Sequence, residues 1–267
     1  MTALSIPATH RLGLLDLLLP AVCVGCRGGP GQLCPECRRL LAAARPGPAG
    51  PRPAPPGLPP LHAAGPYAEP LRSLLIAHKE RGALRLAGPL GALLAGAVRS
   101  AAGDTGPVLL VPVPSTRRSV RARGHDPMLR LARSAARALR RSGRYARVAP
   151  VLRQTRRVAD QAGLDADGRR RNLAGALAVP ARSAARLGGA GQRHRLVLVD
   201  DLVTTGASLA EAARALAAAG LAPYAAATVA AVARRPAAPG AGPRRARPQE
   251  GRPEQRGPGR GARGQPG

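Results

Sequence analysis

Phenylalanine and tryptophan are absent from these 267 residues and tyrosine occurs three times. A core built on rings is therefore excluded, and Leu, Val and Ala must supply the packing from the 45% of residues that are hydrophobic. Lysine is nearly absent too: Lys79 is the only one, so the formal charge of +28 is carried by arginine. A surface this basic points towards nucleic acid, because it gathers phosphates by releasing their counterions. Two features weaken that inference. An Arg/Ala/Leu-rich chain also reads as GC-rich coding bias, and the aromatics on which bases stack are missing. No run of about 18 uncharged apolar residues occurs, so no membrane span is expected. No internal repeat with a period of about 20–50 residues is visible either.

Cysteine is scarce but concentrated. The four fall between Cys23 and Cys37 as two CxxC pairs, Cys23/Cys26 and Cys34/Cys37, with seven residues between them. Clustering of this kind reads as metal binding in a reducing compartment rather than as a disulfide scaffold, and four thiolates suit a closed structural zinc site. Gly25, Gly28, Gly29 and Gly31 supply the turns that let the sulfurs converge. The spacer is shorter than the usual ~15–20 residues between paired knuckles, which leaves a compact site, an intermolecular site and redox CxxC chemistry as alternatives. The apolar run Leu12–Val24 is broken by Asp16 and lacks a small-residue cleavage site. It reads as a short helix leading into the cysteines rather than a signal peptide, and a cytoplasmic location is expected.

The chain divides into four parts. Residues 12–40 form the zinc-knuckle segment, and residues 41–66 a Pro/Gly-rich linker or irregular cover. Residues 67–233 form the main domain. Residues 234–267 form a tail with nine arginines against two glutamates and almost no apolar side chains, which is expected to be disordered. Within the main domain the spacing predicts helix over Leu71–Ser100 and about Pro127–Arg141, and an Ala-rich helix from Ser208 to Ala219. The runs Val108–Val111, Arg195–Val199 and Ala225–Val232 suit strands buried on both faces. Strand, helix and strand in this order predict an α/β fold with a parallel sheet.

The strongest chemical signal is the strand Leu196–Val199 running into Asp200-Asp201 and then Thr204-Thr205-Gly206-Ala207-Ser208, which opens a helix. Carboxylates at the carboxyl end of a parallel strand sit where open α/β sheets bind ligands, and the Thr/Gly/Ser turn offers hydroxyls and N–H groups at a helix start. A phosphate cradle beside an acidic pair fits a sugar phosphate, with the carboxylates accepting ring hydroxyls or facing Mg²⁺. An apolar strand ending in Asp-Asp also occurs in P-loop nucleotidases, but the required GxxxxGK[ST] is missing. A simple capped helix would explain the turn but not the two acids before it.

Val199–Ser208 resembles the phosphoribosyl pyrophosphate (PRPP) fingerprint of type I phosphoribosyltransferases. The chain as a whole resembles the ComF family of competence-associated, amidophosphoribosyltransferase-like proteins. The residues that carry this resemblance are Leu17-Leu18-Leu19-Pro20 into Cys23-Val24-Gly25-Cys26, Lys79 with Arg81-Gly82, Val111-Pro112-Val113-Pro114, Arg123-Gly124, and Asp160-Gln161-Ala162-Gly163-Leu164 with Arg169 and Asn172. The resemblance implies a type I phosphoribosyltransferase core with Asp200 and Asp201 on the ribose hydroxyls. It puts Thr204, Thr205, Gly206, Ala207 and Ser208 around the 5′-phosphate, and the loop Val113–Thr116, with Ser115 and Thr116, at the pyrophosphate. Lys79, Arg123 and Gln161 become contacts to pyrophosphate or acceptor. The chain departs from the family pattern at His125-Asp126-Pro127, where an Asn-Gln pair is usual, and at Val158 in place of Thr.

The expected reaction is displacement of pyrophosphate from the anomeric carbon by a nitrogen nucleophile, with Mg²⁺ neutralising the leaving group and Arg117–Asp126 as the segment that closes over it. The alternative is a non-catalytic PRPP-binding or nucleic-acid-binding protein of DNA uptake, acting through its arginine surface and tail. Self-association is compatible with either reading.

Overall fold

The computed structural model describes residues 22–156, 166–191 and 194–232. The helix expected before Cys23, the Asp160–Leu164 block with Gln161, and the basic tail lie outside these residues.

Helix α1 (Pro35–Ala42) follows the cysteines, and strands β1 (Gly47–Pro48) and β2 (Leu61–Pro66) come next. The helical stretch expected over residues 71–100 divides into α2 (Leu71–Glu80), a short 3₁₀ turn at Leu84–Leu86 and α3 (Ala87–Ala102). The break falls at Arg81-Gly82-Ala83, where Gly82 takes φ +67°, a conformation a helix does not tolerate. Then come β3 (Val108–Pro112), α4 (Arg117–Arg123), α5 (Pro127–Arg141), β4 (Ala146–Val148) and β5 (Arg153–Gln154). The remainder is α6 (Ala166–Leu173), β6 (Leu177–Ala178), α7 (Ala181–Gly191), β7 (Arg195–Val203), α8 (Ala207–Ala217) and β8 (Ala225–Ala231).

Six strands form one sheet in the order β1-β2-β8-β7-β3-β4, parallel throughout except for the antiparallel edge pair β1/β2. A separate antiparallel pair joins β5 to β6. The α/β architecture with a mostly parallel sheet is therefore as expected. The stretch read as linker differs from expectation: residues 61–66 are a strand paired to β8, and residues 51–58 pack over the start of α8.

Alternation along the central strands shows why they read as unbroken apolar runs. Val108, Leu110, Val197 and Val199 face one layer, with Leu90 and Leu94 of α3 and Leu131 and Leu139 of α5. Leu109, Val111, Leu196 and Leu198 face the other, with Leu209, Ala212 and Leu216 of α8. Each strand must satisfy two apolar layers, so neither face of β3, nor of β7 between Leu196 and Val199, carries a polar residue. The absent rings are replaced by close packing of Leu, Val and Ala.

From β3 the chain crosses through α5 to β4 on one side, and from β7 it crosses through α8 to β8 on the other. The direction of winding reverses between β3 and β7, and a crevice opens at the carboxyl ends of strands at such a point.

Candidate functional site

A cleft of about 350 Å³ lies at this reversal. Its walls come from the loop after β3 (Val113–Thr116), the end of β7 (Asp200–Leu202), and the turn into α8 (Thr204 and Ser208). Lys79 of α2, Arg123 of α4, and Met128, Gln154, Leu173 and Leu177 also line it. Eight residues proposed from sequence thus converge: Lys79, Ser115, Thr116, Arg123, Asp200, Asp201, Thr204 and Ser208. Thr205, Gly206 and Ala207 form the turn behind Thr204 and Ser208, and Gln161 lies outside the described residues.

Strand β7 carries four buried aliphatic residues to the crevice and emerges with Asp200 and Asp201 half-buried at its rim. The Asp201 N–H donates to Asp200 Oδ1 at 2.9 Å. Lys79 Nζ lies 2.6 Å from Asp201 Oδ2. Burial, and then the neighbouring charge of Asp201, push the Asp200 carboxyl well above the ordinary aspartate range, with Lys79 opposing. Burial alone would lower the Lys79 ammonium, but the charge of Asp201, their hydrogen bond and the more distant Asp200 and Glu80 outweigh it and raise it. Two carboxyls and one ammonium at the mouth of a cleft make a site suited to polyhydroxyl groups and cations.

The basic wall is held by a residue that sequence reasoning missed. Glu80 takes Arg123 in a fork: Arg123 Nε donates to Glu80 Oε2 at 3.0 Å, and Arg123 Nη2 lies 2.8 Å from Oε1 and 2.7 Å from Oε2. Lys79 and Glu80, adjacent on the last turn of α2, therefore grip β7 and α4 respectively. Beneath them His78 is fully buried, and its Nε2–H donates to the Pro127 carbonyl at 3.4 Å, tying α2 to α5. Burial lowers the His78 pKa.

Local hydrogen bonds fix the loop after β3. Thr116 caps α4, accepting from the Ser119 N–H at 3.0 Å. Ser115 Oγ donates to Asp126 Oδ1 at 3.1 Å, and the same oxygen accepts the Leu129 N–H at 3.0 Å, capping α5. Asp126, which stands where an amide was expected, therefore orients the loop and starts a helix.

The turn into α8 depends on Gly206. Its φ of +74° favours glycine, and a Cβ built there would lie 3.2–3.3 Å from Pro51, Pro55 and Leu58. Gly206 at the N-cap has no side chain to cap α8, and Thr205 Oγ1 accepts the Ala207 N–H at 3.5 Å, so the Ser208 and Leu209 N–H groups are the first-turn donors a ligand would meet.

The four cysteines form a second centre. One sulfur from each lies within 4.8 Å of every other, and Cys26 Sγ is 3.6 Å from Cys34 Sγ. Roughly 3.8 Å separates sulfurs around a tetrahedral ion bound at about 2.3 Å, so the cluster could hold a metal such as zinc. Cys23, Cys34 and Cys37 are buried and Cys26 is exposed. Backbone N–H groups already point at the sulfurs: Cys34 N–H to Cys23 Sγ at 3.3 Å, and Gly28 N–H to Cys26 Sγ at 3.4 Å. Burial opposes ionisation of Cys23, but the backbone N–H groups of Cys34, Cys26 and Gly25 and the Cys34 thiol outweigh it and lower its pKa to about 6. Burial and the neighbouring thiols raise Cys37. Gly29 is required by contact: a Cβ there would sit 2.6 Å from Cys34 Cβ.

No helix among the described residues is long and apolar enough to cross a membrane. Compared with known proteins, no family model matches the chain and no curated protein matches it at a significant level.

Proposed function

We propose that the chain is a phosphoribosyltransferase-like protein of the ComF kind, which binds PRPP with Mg²⁺ in the β3/β7 cleft and transfers its phosphoribosyl group to a nitrogen acceptor. The observation that carries this reading is the convergence of the Asp200–Asp201 pair, the uncapped Thr-Thr-Gly-Ala-Ser helix start and the Ser115–Thr116 loop on one crevice.

On this reading Asp200 and Asp201 accept hydrogen bonds from the ribose 2′ and 3′ hydroxyls. The hydroxyls of Thr204, Thr205 and Ser208 and the first N–H groups of α8 hold the 5′-phosphate. The Val113–Thr116 loop faces the pyrophosphate, with Lys79, Arg123 and Gln161 as its cationic and amide contacts. The carboxylates are the oxygen donors that Mg²⁺ prefers, and the ion when bound neutralises charge on the departing pyrophosphate. As that bond breaks, positive charge grows on the sugar; Asp201 lends it negative potential, joined by Asp200 once a bound cation offsets the burial that favours its protonated form. Zinc in the four-cysteine site is read as structural, closing a knuckle that otherwise rests on backbone hydrogen bonds and on Val24, Leu33 and Leu41 packed against the main core.

Incubating the full chain with PRPP, Mg²⁺ and a panel of amines and nucleobases tests the reading. Pyrophosphate release that depends on one acceptor supports transfer. Binding without release under any acceptor would leave a PRPP-binding protein in its place, and release unaffected by Asp200→Asn with Asp201→Asn would contradict the site.

A further inference from the structure

The acidic residues of the described chain are engaged away from one face of the molecule. Glu36, Glu69, Glu80, Asp104, Asp167 and Glu211 each pair with an arginine, Asp201 pairs with Lys79, and Asp126 caps α5. None lies on the outer face of α5 or on β4. That face carries Arg130, Arg133, Arg137, Arg140 and Arg141, joined by Arg147 of β4, and all six are exposed. At 100° per residue the five helical arginines fall within an arc of about 100°, opposite the buried Met128, Leu131, Ala135 and Leu139, and run for roughly 16 Å along the axis. Arg140 Nη1 also donates to the Ala146 carbonyl at 2.7 Å, which binds the stripe to the edge strand. Shallow depressions lie between these side chains, one among Arg137, Arg140 and Arg141, the other between Arg133, Arg137 and Arg147.

We propose that the outer face of α5, with Arg147 of the edge strand β4, is a docking surface for the sugar–phosphate backbone of a nucleic-acid duplex. A duplex carries one negative charge per ~1.7 Å of axis with both strands counted, so a segment as long as the stripe holds about ten, and the stripe meets those on the facing side. Recognition is by backbone and not by bases. The one aromatic nearby is Tyr145, half-exposed and tilted against His194 with ring centroids 5.6 Å apart; it is a single ring and not the row of rings on which successive unpaired bases stack. An anionic lipid surface is disfavoured because no apolar residue on α5 is exposed to enter it. Composition alone would scatter arginine evenly over the surface. Here the acids are segregated from it. The inference stands apart from the cleft and survives if the PRPP reading fails.

The test compares two triple variants of the full chain that remove the same charge. Arg133→Gln, Arg137→Gln and Arg141→Gln strip the stripe while keeping the Arg140 anchor. Arg85→Gln, Arg182→Gln and Arg186→Gln remove exposed arginines outside it. Binding to a mixed-sequence duplex of about 20 base pairs is followed by fluorescence anisotropy across a salt series, with unlabelled single strand and anionic vesicles as competitors. The stripe variant is expected to bind at least ~10-fold more weakly with a salt slope lower by about 2–3, and the second variant to change by less than ~3-fold. Lysine at the same three stripe positions should restore binding, which separates lost charge from lost folding. Equal weakening by both triples would reduce the effect to overall charge and overturn the proposal. So would absence of duplex binding by the unaltered chain, or more effective competition by single strand or vesicles than by duplex.

Discussion

Lys79 and Glu80 show how two neighbouring side chains organise a site assembled from distant parts of the chain. One neutralises Asp201, the other neutralises Arg123 across 43 residues of sequence. A phosphate that reached for Arg123 would have to displace a forked carboxylate. Glu80→Gln is therefore expected to tighten pyrophosphate binding several-fold in a calorimetric titration with a small fall in melting temperature, since a half-exposed forked pair of this kind contributes about 1 kcal/mol. Unchanged affinity would mean that Arg123 does not meet the ligand. Asp200 carries a second test. Its folded pKa lies above the unfolded value, so the native state holds a proton that the unfolded state has released. Stability is then lost as pH rises from the ordinary aspartate range through the folded value. Asp200→Asn should melt a few degrees higher than the unaltered chain at pH 8 and no higher at pH 4. Asp200 and Asp201 were legible in the sequence because a buried strand ending in two acids has few structural explanations. Glu80 was not, because an ion pair between residues so far apart leaves no spacing to read.

Among the elements, α8 is positioned by one buried acid. Glu211 accepts the Leu177 N–H at 3.0 Å and the Arg214 guanidinium at 2.7 and 2.8 Å, while Arg214 donates to the Leu177 carbonyl at 3.0 Å. The helix that opens the candidate phosphate site is in this way fixed to β6. Burial pushes the Glu211 carboxyl up, but Arg214 and the backbone donors outweigh it and hold it below the usual glutamate range. This stabilisation is fully present above the unfolded pKa of about 4.3 and is lost as pH falls through the folded value. Glu211→Ala should cost about 1–2 kcal/mol by thermal or denaturant melting at pH 7, because the Leu177 N–H loses its acceptor while the half-exposed Arg214 stays solvated, with the deficit shrinking below about pH 4. The cysteine knuckle has its own test. Treating the reduced chain with a strong chelator should release one zinc per chain and lower the melting temperature, and Gly29→Ala should weaken metal retention by crowding Cys34. Metal content well below one zinc per chain would contradict the assignment. Elements with strong periodicity were readable. Helix α5 was expected at Pro127–Arg141 and is found there. Strand β2 was hidden, since Leu61-His62-Ala63-Ala64-Gly65-Pro66 combines residues of low strand propensity, and its position is decided by pairing with β8. Strands β4, β5 and β6 are two or three residues long, too short for any period to show.

Across the whole molecule, sheet order places the cleft. The sequence marks which strand ends carry acids and hydroxyls, but the reversal between β3 and β7 is a property of how the strands assort. It brings Ser115 and Thr116 to face Asp200 and Ser208 across the chain. Charge is divided on the same scale: among the described residues no acid lies on the outer face of α5, which carries the arginine stripe. The central claim is that the β3/β7 cleft binds PRPP with Mg²⁺, and calorimetric titration of PRPP and Mg²⁺ into the full chain and into its Asp200→Asn, Asp201→Asn variant tests it most directly. The account predicts saturable micromolar binding that requires Mg²⁺ and is lost in a variant that remains folded; no binding by the folded, unaltered chain, or equal binding by the variant, would contradict it.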